Sequence, residues 1–251
     1  MARASVWLLG GHDPSGGAGL ARDVAAARSF APELPLWAFV TAWTRQGGGR
    51  PAIGWGRGAG ALEREVSRAG RPAAIKLGLA PASRVASIAG LIPDGAPVVL
   101  DPVLGATAGG AMGATADGVI ALTRQLAARG PVLLTPNRAE AAWLLSQLRD
   151  TSGEPDALAR RLEVDTLIKS VGAAAGEVCD VLCSKGQVHE FARPRQGGPD
   201  PRGTGCALAT AIACGLARGR SVAAAVGEAI AWLDARRGLV VVDRRGAAHL
   251  S

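Results

Sequence analysis

Four short stretches carry residue types and spacings that could act on a phosphorylated ligand. "RGTGCALATAIACGLA" sets Gly203 and Gly205 on either side of Thr204, directly before a long Ala-rich segment. The free N–H groups and dipole of such a helix start make an anion site, suited to the charge on a phosphoryl group in transfer. Cys206 falls in the first turn, where that field is expected to lower a thiol pKa and raise the thiolate fraction. An ordinary glycine-led helix start with a buried cysteine is the other reading. "LLTPNRAEAAWL" puts Asn137 and Glu140 three apart on one helix face. Their oxygens suit Mg²⁺ or its waters beside phosphates, and they equally suit a capping pair at a helix start. "VVLDPVL" ends a buried apolar run in Asp101, a carboxylate placed for metal- or phosphate-side chemistry or for capping a loop. "GGHDPSGGAG", Gly10–Gly19, follows the apolar run "VWLL" with five glycines and leads into a segment containing Asp23. It lacks the G-x-G-x-x-G register, and no Gly-Lys-Ser/Thr occurs in the chain. So much glycine permits a tight turn or the close approach of another group to the backbone.

These stretches need elements that bring them together. Short apolar segments at Val6–Leu9, Leu36–Thr41, Ala73–Leu77, Val98–Asp101, Val132–Thr135 and Thr166–Lys169 read as strands. Ala-rich segments near Ala18–Ser29, Ala61–Ala69, Ala82–Ala89, Ala116–Ala128, Arg138–Leu148 and Pro155–Arg161 read as helices between them. "EVCDVLCS" and "QVHEFARP", joined by "KG", read as a β-hairpin. Helices Gly205–Arg218 and Ser221–Arg237 follow, the second stopped by Gly238. The alternation predicts an α/β fold, a mainly parallel central sheet with helices on both faces. In such a sheet the ligand lies beyond the carboxyl ends of the strands, where each of the four stretches sits. "RQGGGRPAIGWGRGAGA" and "RPRQGGPDPRG" read as glycine- and proline-rich loops long enough to be mobile lids. With no internal repeat and no linker, residues 1–251 are expected to form a single domain.

Composition narrows the function class. The formal charge is +7, but the 25 arginines are spread over the whole length. The local runs "DARRG" and "VDRRG" are short and mixed with acids, so a solvated surface is expected rather than a nucleic-acid footprint. Only Lys76, Lys169 and Lys185 are lysines, which makes Lys169 within the apolar "DTLIKS" informative. No apolar run reaches the roughly 18–20 residues of a membrane span, and the N-terminal apolar stretch is too short for a signal peptide. Four cysteines without a C-x-x-C and three scattered histidines argue against a structural zinc site. A soluble, cytoplasmic protein with reduced thiols is expected.

Taken in order, "GGHDPSGGAGLARD", "VTAWTRQ", "AIKLGL", "VVLDPVL", "LLTPNRAEAAWLL", "DTLIKSVG" and "RGTGCALATAIACGLA" resemble the hydroxymethylpyrimidine and phosphomethylpyrimidine kinases of thiamine biosynthesis. These are members of the ribokinase-like superfamily, and the resemblance runs from about Val6 to Arg237. It implies a ribokinase-like three-layer sandwich. It also implies ATP- and Mg²⁺-dependent phosphorylation of 4-amino-5-hydroxymethyl-2-methylpyrimidine and then of its monophosphate. By the same resemblance the glycine-rich opening, Gly11 included, lies under the pyrimidine. Asp23 matches an acidic position of the substrate block, and Gln46 matches the glutamine that bonds the pyrimidine's exocyclic amine and ring nitrogen. Gly203, Thr204, Gly205 and Cys206 match the catalytic anion hole. Asn137 and Glu140 match the pair that organises Mg²⁺ and phosphates, Glu140 directly or through water. Asp101 and Lys169 fall on the nucleotide side. Cys206 stands where the wider superfamily has an aspartate base. The family tends to form homodimers.

The chain departs from the family pattern in three places. "QGG" replaces Q-N-T after Gln46, "GATAGG" lacks the lysine of A-K-S-G, and "KSVG" replaces K-G-G. Two other readings follow from these changes: a kinase acting on pyridoxal or pyridoxine, and a non-catalytic pyrimidine-binding homologue.

Overall fold

The computed structural model describes residues 4–14, 16–47, 50–105, 112–172, 175–197, 201–237, 240–242 and 248–250. Six strands run parallel: β1 (Val6–His12), β2 (Leu36–Gly47), β4 (Ala74–Leu77), β5 (Val98–Leu100), β6 (Val132–Leu134) and β7 (Asp165–Val171). β3 (Arg50–Gly56) adds an antiparallel edge on one side, and β8 (Glu177–Ser184) and β9 (Gln187–Pro194) add an antiparallel hairpin on the other. The nine strands lie in the order β3-β2-β1-β4-β5-β6-β7-β8-β9.

The period-2 alternation of each strand divides the core in two. Trp7, Leu9, Ile75, Leu77, Val98, Leu100, Val132 and Leu134 pack on one face against α2 (Ala59–Val66), α3 (Val85–Leu91), α4 (Ala116–Ala127), α5 (Arg138–Gln147) and α6 (Ala157–Leu162). Val6, Leu8, Val99, Leu133 and Leu167 pack on the other against α1 (Gly19–Phe30), α7 (Thr204–Ala217) and α8 (Val222–Arg237). The expected layers, helix on sheet on helix, are present. Lys76 stands between Ile75 and Leu77, so its side chain is directed to the α1 and α7 face. β1 pairs with β2 on one side and β4 on the other, while α1 and α2 cover opposite faces. That reversal is a topological switch point, and it opens a crevice at the carboxyl ends of β1 and β4.

Several expectations need correction. The first glycine-rich segment is not an open loop. Within it, β3 pairs with an extended β2, Trp43 stands opposite Trp55, and α2 begins at Ala59. Pro51, Gly54 and Gly56 conceal that strand. Gly54 is required there because a Cβ would lie 2.9 Å from the Met112 carbonyl oxygen. β1 continues through Gly10 and Gly11 to His12 rather than stopping at Leu9. Beyond α8, β10 (Val240–Val242) pairs with β11 (Ala248–Leu250), which the sequence reading did not anticipate. The proposed helix stop at Gly238 and residues 198–200 of the second glycine-rich segment lie outside the described residues.

The turn between β1 and α1 is fixed by Gly19, which has φ +61° and whose Cβ would meet the Gly11 carbonyl oxygen at 2.4 Å. Gly16 also has positive φ, +71°, but open space around it. Gly16→Ala is expected to cost about 1–2 kcal/mol from the backbone conformation alone. Gly19→Ala should cost more, with the clash added to the strain. Denaturant unfolding of the two variants measures this, and equal losses would contradict the close approach.

Candidate active site

A cleft of about 390 Å³ opens beyond the carboxyl ends of β1, β4, β5 and β7, against the first turn of α7. Its floor is a row of side chains of alternating charge. Asp23 of α1 has no exposed surface and accepts three hydrogen bonds, one at each carboxylate oxygen from Lys76 Nζ at 2.9 Å and one from Thr210 Oγ1 at 3.0 Å. Lys76 Nζ lies 3.7 Å from Asp101 Oδ2, and Lys169 Nζ donates to Asp101 Oδ1 at 2.9 Å. Glu140 follows Lys169 as the next charge and raises its pKa.

Removing two charges from water is costly unless each is matched and hydrogen-bonded, and here each is. Burial opposes the charge on Lys76, but Asp23 and Asp101 outweigh it and hold the ammonium above its ordinary pKa, while burial raises the Asp23 carboxyl against the pull of Lys76 and Thr210. Burial opposes the charge on Asp101 as well, yet Lys169 and Lys76 keep it below the usual carboxylate range. Burial of Lys169 is likewise outweighed, by Asp101 and Glu140. Glycines make room for the row. A Cβ on Gly78 would lie 2.8 Å from Lys76 Nζ, one on Gly205 3.2 Å from Lys169 Nζ, and one on Gly10 3.3 Å from Asp23 Oδ2.

The second glycine-rich stretch closes the cleft. Gly203, with φ +78°, is the N-cap of α7, and its Cβ would meet the Gly17 carbonyl oxygen at 2.6 Å. The two glycine-rich segments therefore touch, and only glycine fits. No side chain caps this helix start, which leaves its first N–H groups directed at the cleft.

Cys206 differs from expectation. Burial pushes its thiol up to about 12, with Lys76 pulling the other way, and Asp101 and Asp23 adding to the rise. The thiol lies beside Asp101 and helps to keep that carboxyl low. Half-buried by surface, the thiol is pushed up by burial first and by the two carboxylates next, which together outweigh Lys76 and the helix start. Asn137 and Glu140 form a complete capping box: Asn137 Oδ1 accepts from the Glu140 N–H at 3.0 Å, and Glu140 Oε2 accepts from the Asn137 N–H at 2.9 Å. Both residues also line the cleft, so the two readings of this pair are compatible. Burial pushes the Glu140 carboxyl up to about 6, against the pull of Lys169 and of the Asn137 and Leu104 backbones.

Gly11, Asp101, Asn137, Glu140, Lys169 and Gly203 through Cys206 all line the cleft. Asp23 does not: it was expected beside the substrate and instead lies behind Lys76 as its counter-ion. Gln46 stands near the end of β2, and its side chain lies outside what the structure describes. Lys76, Asp13 and Thr44 line the cleft and were not singled out from the sequence. For Lys76 the signal was available, a lysine inside the apolar run "AIKLGL" of a chain with three lysines. Asp13 is 2% exposed and lies 3.9 Å from Arg202; nothing in the sequence marks that pairing. Thr44 Oγ1 donates to the His12 carbonyl at 2.7 Å.

The Asp101 and Glu140 carboxylates of the cleft lining fit the donor set of Mg²⁺ held with phosphates. Among the described residues no group of three or more His, Cys, Asp or Glu could hold an ion. Mg²⁺ normally takes one or two carboxylates and completes its shell with water and phosphate oxygens. Also among the described residues, no helix is long and apolar enough to cross a membrane.

Comparison with known proteins places the chain in a family. The family described as phosphomethylpyrimidine kinase matches residues 13–237. The chain is 33% identical over 238 residues to a hydroxymethylpyrimidine/phosphomethylpyrimidine kinase of Streptomyces coelicolor, covering 88% of this chain and 84% of that one. Two solved structures share its fold. The phosphomethylpyrimidine kinase of Clostridium difficile has a TM-score of 0.70 at 20% identity, covering 93% of this chain and 99% of that one. The pyridoxal kinase of Staphylococcus aureus in complex with AMP-PCP and pyridoxal has a TM-score of 0.81 at 18% identity, covering 100% and 94%.

The buried pair makes a direct test of the floor. Asp23→Ala or Lys76→Met alone leaves one buried charge unmatched and is expected to cost about 3–5 kcal/mol in denaturant unfolding. The double variant should lose far less than the sum of the two. Simple additivity would show that the two side chains do not stabilise each other.

Proposed function

The chain belongs to the phosphomethylpyrimidine kinase family and is a phosphotransferase, and from that premise we propose that it phosphorylates 4-amino-5-hydroxymethyl-2-methylpyrimidine with Mg-ATP and then phosphorylates the monophosphate, in thiamine biosynthesis. The observation that carries this reading is the row Asp23–Lys76–Asp101–Lys169 beneath an uncapped, glycine-led helix start. A pure binder of a neutral pyrimidine has no use for such a phosphate half. Phosphoryl transfer asks the protein mainly for positioning and charge stabilisation. In this reading the N–H groups of Gly203–Cys206 receive the transferring phosphoryl oxygens, and Lys169 neutralises phosphate charge. Mg²⁺ supplies further charge neutralisation at the phosphates, with Asp101 and Glu140 as the carboxylates that would hold it or its waters. Gly10 and Gly11 let the flat ring approach the backbone, and the Gln46 amide offers one donor and one acceptor to the aminopyrimidine edge.

Cys206 as a standing thiolate base does not fit its raised pKa. A minor thiolate form, favoured by Lys76, serves instead: its sulfur takes the proton of the substrate hydroxyl as the oxygen bonds to phosphorus, and becomes the neutral thiol. A loose transition state makes little demand on the strength of such a base.

The proposal is tested by incubating the protein with Mg-ATP and the hydroxymethylpyrimidine, with pyridoxal in a parallel reaction, and following products by mass spectrometry. Two successive phosphate additions to the pyrimidine are expected. Pyridoxal phosphate as the faster product would transfer the activity to the vitamin B6 class, and pyrimidine binding without any product would favour the non-catalytic homologue. Cys206→Ala should slow the first phosphorylation by about 10²–10⁴. The second step should suffer much less, because its nucleophile is an already ionised phosphate oxygen. Equal loss in both steps would assign Cys206 to positioning.

Glu140 gives a pH dependence whose sign is fixed. Its carboxyl is ionised above about pH 6 and protonated below, so its attraction for a cation fades as pH falls through that value. The Mg²⁺ concentration needed for half-maximal rate should rise between pH 7.5 and 5.5. Glu140→Gln keeps an acceptor for the capping box and should remove that rise. An unchanged pH dependence in Glu140→Gln would exclude Glu140 as its source.

A further inference from the structure

We propose that Asp180 is a positioning residue that aims Lys169 into the cleft by holding the β-bulge beside it. The β7–β8 ladder pairs Ile168 with Val181 and then Val171 with Cys179. Two residues of β7, Lys169 and Ser170, therefore oppose one residue of β8, Asp180. Such a bulge bends a strand, re-aims a side chain and leaves backbone groups outside the ladder. Ser170 takes up the distortion with φ +56°, a left-handed conformation in a residue that is not glycine. Such strain persists only where the surroundings over-determine it.

Asp180 supplies that constraint. Only 2% of it is exposed, and Oδ1 accepts the Ser170 N–H at 2.7 Å. Oδ2 accepts from Arg193 at 2.9 Å, and Arg193 Nε reaches Asp234 of α8 at 2.8 Å. One buried carboxylate thus ties the turn after Lys169 to the β9 strand and the last helix. On the other side, the Lys169 N–H donates to the Pro136 carbonyl at 2.8 Å. The Lys169 backbone is held from both neighbours, and its ammonium reaches Asp101 across the cleft at 2.9 Å. Asp180, Ser170 and Arg193 themselves line the same arm of the cleft. Here the chain reads "KSVG", so the left-handed position must be enforced on a serine, and Asp180 is the group that enforces it.

Two measurements test the assignment. The first is a crystal structure of ligand-free Asp180→Ala, which does not depend on the kinase reading. Lys169 Nζ is expected to leave Asp101 and the Ser170 turn to relax; Lys169 still within hydrogen-bond distance of Asp101 would overturn the proposal. The second measurement rests on the kinase reading and titrates Mg-ADP and the hydroxymethylpyrimidine separately by calorimetry. Asp180→Ala should weaken Mg-ADP by about tenfold or more, the scale of one charge-assisted hydrogen bond, and leave the pyrimidine within about twofold. Asp180→Asn keeps an acceptor for the Ser170 N–H and should lie nearer the wild type; it carries the test if the alanine variant does not fold. Ser170→Gly added to Asp180→Ala should recover part of the Mg-ADP affinity, because glycine adopts the left-handed turn unaided. Parallel weakening of both ligands, or no recovery with glycine, would mark Asp180 as a general stability residue. Failure of the wild type to bind Mg-ADP would count against the kinase reading, with the ligand-free structure still deciding the role of Asp180.

Discussion

The structure depends on keeping two lysines charged inside a protein interior. Lys76 is 1% exposed and Lys169 9%, and each sits between acids drawn from different elements. Asp23 comes from α1, Lys76 from β4, Asp101 from the end of β5 and Lys169 from β7. Any one of these charges alone would be strongly disfavoured at that depth; in alternating order each lowers the cost of the next. The row can form only if α1 packs on the same face to which Lys76 points, and if the parallel strands end in register. Both conditions are met: α1 packs on the face to which Lys76 points, and β1, β4 and β5 pair in parallel.

That floor explains the glycines better than a ligand alone does. Gly78, Gly10 and Gly205 stand where a Cβ would crowd Lys76, Asp23 and Lys169; Gly19 lets the first glycine-rich turn fold back on Gly11, and Gly203 lets the two glycine-rich segments meet backbone to backbone. The same row sets the state of Cys206. A cysteine in the first turn of a helix is ordinarily made more acidic, but this one shares its surroundings with Asp101 and Asp23, and burial dominates. The local motif and the tertiary environment act in opposite directions on one sulfur, and the environment wins.

What the sequence made legible follows from the range of the interactions. The alternation of strands and helices, the glycine-led start of α7 and the Asn137–Glu140 pair depend on neighbours within a few residues, and all were readable. The cross-links that build the floor were not. Asp23 and Lys76 are 53 residues apart, and Asp101 and Lys169 are 68 apart. Their acid and base identities were visible; their partnership needed the fold. β3 was hidden for a different reason, because Pro51, Gly54 and Gly56 read as loop punctuation until the packing of Gly54 on Met112 shows why a strand needs glycine there. The bulge at Lys169–Ser170 leaves no local mark beyond the departure "KSVG", since its cause lies across the sheet on Asp180.

The central claim, that this site is organised by buried lysines kept ionised by a chain of acids, has a direct spectroscopic measure. With three lysines in the chain, protein labelled with ¹³C at lysine Cε gives three signals, assignable by single substitutions. Followed by NMR as pH rises, the signals of Lys76 and Lys169 are predicted to remain those of ammonium groups past the ordinary lysine value near 10.4. Loss of charge by either one at or below neutral pH would contradict the account, because the floor would then be held by burial and not by alternating charge.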